Sequence, residues 1–86
     1  MPVISRFYGI VVKMYFREHG VPHFHAHYAE HESSISIGTL EILGGSMPGR
    51  VLALVRRWAR LHRDELQANW ERARRDRPLK TIAPLP

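Results

Sequence analysis

Residues 34–61 have the sequence SISIGTLEILGGSMPGRVLALVRRWARL, and the spacing of the apolar residues changes within this stretch. Before Gly44 the apolar residues alternate with polar ones, which is typical of a half-buried strand. After Ser46 they recur every three or four residues, which is typical of an amphipathic helix. The change at Gly44-Gly45 predicts an α+β fold, with an antiparallel meander of three to four strands over about 7–43 and a long or kinked amphipathic helix over about 48–75.

The predicted helix carries a continuous apolar stripe. Ser46 is the expected N-cap, and Pro48 lies in the first turn, where proline is tolerated. One helix of about 27 residues would be roughly 40 Å long. A kink or break is therefore expected at residues 62–64, where Asp64 could cap a second helix. Because the stripe keeps its phase across this point, a kink is favoured over a reversal. The stripe comprises Val51, Val55, Trp58, His62, Leu66, Trp70 and Ala73, and Leu54 and Leu61 widen it.

The strand-rich half divides at glycine, proline and polar residues. Residues 7–16 predict one strand whose even positions form an apolar face. Residues 23–29 predict a second strand, with Phe24, Ala26 and Tyr28 on one face. The polar residues 30–33 predict a turn, residues 34–37 and 39–43 predict further strands, and Gly44-Gly45 predicts the end of the sheet.

The length and composition exclude several classes of protein. The 86 residues predict a single domain over residues 1–86, with a C-terminal tail at 78–86 that Ile82 and Leu85 would anchor. The chain has no cysteine, which excludes disulfides and thiolate zinc sites. Its apolar stretches are far shorter than the ~20 residues of a membrane-spanning helix, and the N-terminus lacks the pattern of a signal peptide. We therefore expect a cytoplasmic protein with no membrane partner.

The positive charge is concentrated in the second half of the chain. The net charge is +5, and residues 47–86 hold ten basic residues against four acidic ones. A basic half-domain favours anionic partners such as RNA, DNA or an acidic protein. The predicted nucleic-acid or partner-binding residues are Arg56, Arg57, Arg60 and Arg63. A solvated helix face explains the same charge equally well.

Three histidines alternate along the second predicted strand. His23, His25 and His27 would lie on one face, with their backbones ~6–7 Å apart from one to the next. A His-x-His pair can supply two ligands to a divalent transition metal, and a site needs at least one more. The candidates for the third ligand are His62, Glu41, His19 and His31. Two alternatives are a catalytic or phosphate-contacting role, since histidine is a general acid–base near neutral pH, and ordinary surface histidines on an exposed sheet face.

The chain resembles a known bacterial family over essentially its whole length. The motifs that carry the resemblance are Ile4-Ser5-Arg6-Phe7-Tyr8-Gly9-Ile10, Pro22-His23-Phe24-His25, Tyr28, Leu40-Glu41, Trp58-Ala59-Arg60-Leu61-His62-Arg63-Asp64-Glu65-Leu66 and Asn69-Trp70. In these segments the chain is similar to the domain of unknown function 4160 family. The resemblance implies recurrent polar or aromatic positions at His23, His25, His62, Trp58 and Trp70. His27 departs from the usual pattern, so the predicted metal ligands are His23, His25 and His62.

The resemblance also suggests a biological context. Members are often encoded beside a protein of the domain of unknown function 2442 family, in pairs described as toxin–antitoxin modules. The leading hypothesis is therefore a component of such a two-gene module that binds the product of the neighbouring gene, with RNA or DNA as a further candidate partner. The alternatives are a histidine-based metal-binding protein or metal-assisted hydrolase, and an interaction module whose basic helix docks on an acidic partner. Trp58 and Trp70 are twelve residues apart, in helical phase, and are expected to anchor the core or a homodimer.

Overall fold

The computed structural model describes residues 2–86 and is an antiparallel sheet of five strands followed by two helices. Each strand pairs with its neighbours in sequence, so the sheet has the order β1-β2-β3-β4-β5. The α+β meander is confirmed, but the sheet has five strands rather than three or four, and the helical region is divided. The elements are β1 Val3–Phe7, β2 Ile10–Lys13, β3 His23–Tyr28, β4 His31–Ser36, β5 Ile42–Gly45, α1 Gly49–Leu61 and α2 Arg63–Arg74.

The extra strand is β1, which lies before the predicted strand over residues 7–16 and shares only Phe7 with it. Tyr8 and Gly9 form the turn between β1 and β2, with φ of 51° and 78°. Positive φ at both central residues is the geometry of the tight hairpin turn that matches the strand twist. Tyr8, predicted to lie on the apolar face, is instead 60% exposed at the tip of this hairpin.

The end of the sheet also differs from the prediction. The tight turn after β3 is at Ala29 and Glu30, so His31 begins β4 rather than lying in a loop. Gly44 and Gly45 do not break the sheet, because they form the second half of β5. Gly45 has a φ of 79°, and a Cβ there would collide with the carbonyl of Glu32. A glycine is therefore required where β5 kinks against β4.

The sheet separates a buried face from an open face. Phe24 and Ala26 of β3 face the core, as predicted, and Val12 of β2 and Ile35 of β4 lie beside them in the ladder. Trp58 of α1 packs on this face, with its ring centroid 5.9 Å from that of Phe24 and 5.3 Å from that of Phe7. Trp58 is completely buried, which confirms that it is a core residue. The intervening residues of β2 and β3, among them Lys13 and His25, lie on the opposite face.

The predicted helix is interrupted by a single residue. His62, with φ −123° and ψ 26°, is the C-cap of α1 and the N-cap of α2. The expected break near residue 62 is confirmed. Asp64 is not the cap, because it already lies in the first turn of α2. Its negative charge there interacts favourably with the positive end of the helix dipole. Likewise the N-cap of α1 is Pro48 and not Ser46. Leu61, predicted to widen the apolar stripe, is 62% exposed.

The C-terminal tail is held by hydrogen bonds as well as by apolar contacts. Ile82 and Leu85 are buried, as predicted. The buried side chain of Asn69 donates to the carbonyl of Lys80 at 2.8 Å and accepts from its N–H at 3.0 Å. Trp58 Nε1 donates to the carbonyl of Ala83 at 2.8 Å. The tail is thereby part of the packed structure. No helix within residues 2–86 is both long enough and apolar enough to cross a membrane.

The burial of Trp58 predicts a large stability effect. Trp58→Ala removes a buried indole that contacts Phe7 and Phe24, and we expect a loss of roughly 3–5 kcal/mol in the free energy of unfolding. Leu61→Ala, on the exposed side of the same helix, should change it by no more than about 0.5 kcal/mol. Urea denaturation followed by circular dichroism measures both. Equal stability of wild type and Trp58→Ala would contradict this account of the core.

Candidate metal centre

Three side chains at one end of β3 bring potential metal-ligand atoms together. Glu18, His23 and His25 each offer one such atom, and these atoms all lie within 4.8 Å of one another. His23 and His25 share the open face at the start of β3 because side chains alternate along a strand. Glu18 comes from the loop between β2 and β3. The cluster therefore combines a His-x-His pair with one carboxylate.

The loop that carries Glu18 is fixed to the second helix. Arg17, next to it in sequence, donates from its backbone N–H to the carbonyl of Ala73 at 3.4 Å. Its side chain also forms an ion pair with Asp76 at 2.6 Å. Arg17 has a φ of 59° and Gly20 a φ of 92°, and these left-handed conformations turn the loop back on itself. The contacts with the end of α2 thus hold Glu18 over the beginning of β3.

The proton on His23 is placed by its backbone contact. Its Nδ1 lies 2.7 Å from the carbonyl oxygen of Val21, which can only accept a hydrogen bond, so Nδ1 must carry the proton. In the neutral ring Nε2 is then an acceptor. This Nε2 lies 3.2 Å from Oε1 of Glu18, which is itself an acceptor when ionised. Two acceptor atoms therefore face each other at this distance and repel. A proton bound to His23 Nε2, or a metal ion bound to both atoms, would remove the repulsion.

His25 contacts the same carboxylate oxygen as His23. Its Nε2 donates to Glu18 Oε1 at 2.7 Å. Aromatic rings flank both histidines: Tyr15 packs edge-on against His25 with centroids 4.5 Å apart, and Trp70 packs against His23 at 5.1 Å. The side chains of His23 and His25 are only 11% and 14% exposed, whereas Glu18 is 28% exposed. The rings thus restrict the motion of both imidazoles and leave Glu18 as the most open ligand.

One of the ligand-atom distances already suits a transition-metal ion. A tetrahedral ion about 2.1 Å from each ligand atom holds neighbouring ligand atoms roughly 3.4 Å apart. The 3.2 Å between His23 Nε2 and Glu18 Oε1 is close to that value. The 2.7 Å contact of His25 would have to lengthen, and its Nε2 would have to give up the proton that it donates to Glu18. The hydrogen bond from His23 Nδ1 to Val21 fixes the tautomer that presents Nε2 as a ligand. Three protein ligands leave at least one coordination position open.

The predicted third ligand, His62, does not join this cluster. Its Nδ1 hydrogen-bonds to Glu65 Oε1 at 2.6 Å, and its ring packs against Trp58 with centroids 5.7 Å apart. His62 lies at the junction of α1 and α2, and the stripe residue that contacts His23 is Trp70, about two turns further along α2. Within residues 2–86 the metal-ligating group contains neither Glu41, His19 nor His31. His27 instead lies 3.8 Å from Glu32, with its Nε2 buried and without a hydrogen bond.

Sequence reasoning missed Glu18 because no periodic pattern includes it. It lies in an irregular loop, five residues before His23. The available signal was the pairing of β2 with β3, since residues that follow one strand of a hairpin must return beside the start of the next. A carboxylate in that return segment is a natural third ligand for a His-x-His pair.

The predicted arginines divide into two pairs. Arg56 Nε donates to the carbonyl of Leu40 at 2.9 Å, and Arg63 Nε donates to the carbonyl of Ile37 at 3.2 Å. These two side chains therefore tie the helices to the turn between β4 and β5. Arg57 and Arg60 are exposed on α1. The thirteen residues of α1 include four arginines and no acidic residue.

The burial of Tyr15 alters its acidity. Burial raises the pKa of its hydroxyl above the ordinary value, and the negative charges of Glu32 and Glu18 raise it further. Tyr15 therefore stays protonated beside His25 at neutral pH.

These features define a small α+β protein with a histidine–carboxylate cluster at the beginning of β3, the middle strand of its sheet. The chain belongs to the domain of unknown function 4160 family, whose sequence profile matches residues 9–71. The matched region contains Glu18, His23, His25 and both tryptophans. Neither a curated protein nor a solved structure matches the chain.

The raised pKa of Tyr15 predicts a specific loss of stability in alkali. The folded protein holds this proton more tightly than the unfolded chain. Ionisation of Tyr15 therefore leaves the stability unchanged below the unfolded pKa of about 10, and it lowers the stability as the pH rises from there through the folded pKa. We expect Tyr15→Phe to lose less stability than wild type between about pH 8 and 11. Tyr8→Phe, at the exposed hairpin tip, is the matched control. Urea midpoints across this range test the idea, and parallel curves for wild type and Tyr15→Phe would rule it out.

Proposed function

We propose that this protein binds a divalent transition-metal ion through His23, His25 and Glu18 and keeps a coordination position open for water or a substrate. The observation that carries the proposal is the 3.2 Å approach of two acceptor atoms, His23 Nε2 and Glu18 Oε1. This geometry is unfavourable without a cation. Two imidazoles and one carboxylate are a ligand set that zinc, iron and related metals accept.

The chemistry of such a site is metal-assisted hydrolysis. A bound divalent ion polarises a carbonyl or phosphoryl oxygen and makes its bound water more acidic. The protein supplies three things: a fixed His23 tautomer, a carboxylate on a clamped loop, and aromatic rings that limit solvent access to the imidazoles. A site with three protein ligands and an open position is typical of catalytic rather than structural zinc.

The competing explanation for the same geometry is a second proton on His23. An imidazolium beside Glu18 would form an ion pair and need no metal. Metal titration decides between the two, since only one predicts stoichiometric binding. The first test is isothermal titration of the protein with zinc, nickel and manganese at neutral pH.

We expect one zinc ion per chain, with affinity reduced at least tenfold in His25→Ala and in Glu18→Gln. Loss of one of three ligands leaves the ion with too few protein contacts, and Glu18→Gln removes the only negative charge among them. His62→Ala is the matched control, because it removes a histidine outside the cluster and should leave binding unchanged. Zinc should also raise the melting temperature of wild type. No binding by wild type, or undiminished binding by His25→Ala, would remove the proposal.

A second candidate function concerns α1. An amphipathic helix with four arginines and no acid has no balancing charge on its own surface. Arg57 and Arg60, together with Arg50, are exposed on it. This supports the role proposed from the family resemblance, a component of a toxin–antitoxin-like module that binds the small protein encoded beside it and also RNA or DNA. A homodimer partner is the alternative. Arg56 and Arg63 contribute less to this interface, because their Nε atoms bind the β4–β5 turn.

Binding of nucleic acid to α1 predicts a steep dependence on salt. If α1 makes three phosphate contacts, raising the salt concentration from about 50 to 200 mM should weaken binding to duplex DNA roughly 40-fold, because binding releases counterions from the DNA. The double variant Arg57→Gln, Arg60→Gln should lower the slope of log K against log salt by about 2. Arg75→Gln with Arg77→Gln, two exposed arginines at the end of α2, is the control of equal charge. Fluorescence anisotropy with duplex DNA and hairpin RNA measures the slopes. Absence of binding at low salt would leave the neighbouring protein as the partner, to be sought by co-purification.

A further inference from the structure

We infer that the open coordination position takes a small oxyanion, a phosphate or carboxylate group, in the cleft between the β2–β3 loop and α2. This inference rests on the proposed metal site and names the class of ligand that would bind there. The cleft has a volume of about 320 Å³. Sites for small molecules range from about 300 to 1,000 Å³. The cleft therefore suits a small ligand rather than a polymer.

The cleft shares a residue with the metal centre. Glu18 lines it, together with His19 and Gly20 of the loop. A Cβ at Gly20 would have no atom within 4 Å, so this side of the cleft is open. Trp70 packs over His23, whereas His25 also lines a second depression, which contains a carboxylate and no arginine or lysine. The approach past Glu18, the most exposed of the three ligands, is the one that brings an anion beside a guanidinium group.

The opposite wall of the cleft supplies a cation. Arg74 of α2 lies there beside Glu71. Its Nη1 is 3.4 and 3.5 Å from the two carboxylate oxygens of Glu71. Charge-assisted hydrogen bonds are usually about 2.7–2.9 Å long, so this guanidinium is loosely held. The Arg74 side chain is also 58% exposed. It is thus free to turn toward a ligand, and guanidinium groups match the geometry of phosphate and carboxylate.

The charges make anion binding depend on the metal. Without an ion, Glu18 and Glu71 place two negative charges around the cleft, which opposes an anion. A divalent ion on Glu18 reverses this balance, and Arg74 then adds to the attraction. An oxyanion can therefore contact the ion with one oxygen and Arg74 with another. The metal-free protein should not bind it.

Cobalt(II) provides the test, because its visible spectrum reports both metal binding and the entry of a further ligand. Wild type in excess over cobalt, so that no free ion is present, is titrated with inorganic phosphate and, separately, with acetate. We expect a saturable spectral change with at least one of them, which shows whether phosphate or carboxylate is preferred. Calorimetry of the metal-free protein with the same anions should show no binding.

Two substitutions at the cleft should act in opposite directions. Arg74→Gln should weaken anion binding about tenfold by removing a charged hydrogen-bond donor. Glu71→Gln should tighten it, since the substitution removes a negative charge and releases Arg74. Arg75→Gln, an exposed neighbour outside the cleft lining, is the control and should have no effect. The cobalt spectrum without anion should be the same in all three variants.

The possible failures are distinguishable. If wild type binds cobalt but neither phosphate nor acetate at millimolar concentration changes the spectrum, the oxyanion inference is wrong and the metal site stands. If an anion binds equally well to Arg74→Gln and wild type, or binds without metal, the inference is also wrong. If wild type binds no cobalt, both this inference and the proposed function fail.

Discussion

The pleat of β3 is the constraint on which the rest of the molecule depends. Because side chains alternate along a strand, one six-residue segment supplies Phe24 and Ala26 to the core and His23 and His25 to the open face. Its ladder with β4 pairs every residue from His23 to Tyr28. A shift of one residue would exchange the two faces, burying imidazoles against Trp58 and exposing Phe24. The packing that stabilises the domain therefore also sets the orientation of the candidate ligands.

Much of the fold could be predicted because it follows from periodicity. The apolar stripe of the helices and the break at His62 follow from helical spacing and length. The turn at Tyr8-Gly9 could not be predicted, because Tyr8 continues the alternation of apolar residues. The residue type of Tyr8 also gives no indication of its positive φ. The continuation of the sheet through Gly44 and Gly45 could not be predicted either, because glycine usually ends a strand. Here the strand continues, and Gly45 is required because the Glu32 carbonyl lies too close for any side chain.

The candidate site could be predicted only in part. The His-x-His pair is a strand pattern, so both histidines were found. Glu18 was not, because its position depends on contacts of Arg17 with Ala73 and Asp76, which are more than fifty residues away in sequence. His62 was assigned to the site on the resemblance, but the stripe residue that reaches His23 is Trp70 of α2, and His62 packs on Trp58 instead. Asn69 was noted only as part of the motif shared with the family. Its structural role, two hydrogen bonds with Lys80, depends on where the tail returns and could not be read from the helix alone.

Both edges of the sheet are unsuited to growth by addition of another strand. At β1 the backbone N–H of Ile82 in the tail donates to the carbonyl of Ile4 at 2.7 Å, so this edge is already occupied. At β5 the strand has only four residues, its register with β4 shifts at Leu43, and Gly45 at its end is in the left-handed conformation, so this edge is short and irregular. Open, flat edges are where sheets of separate molecules join and aggregate. Neither edge of this sheet is therefore an open, flat template on which a strand of another molecule could pair.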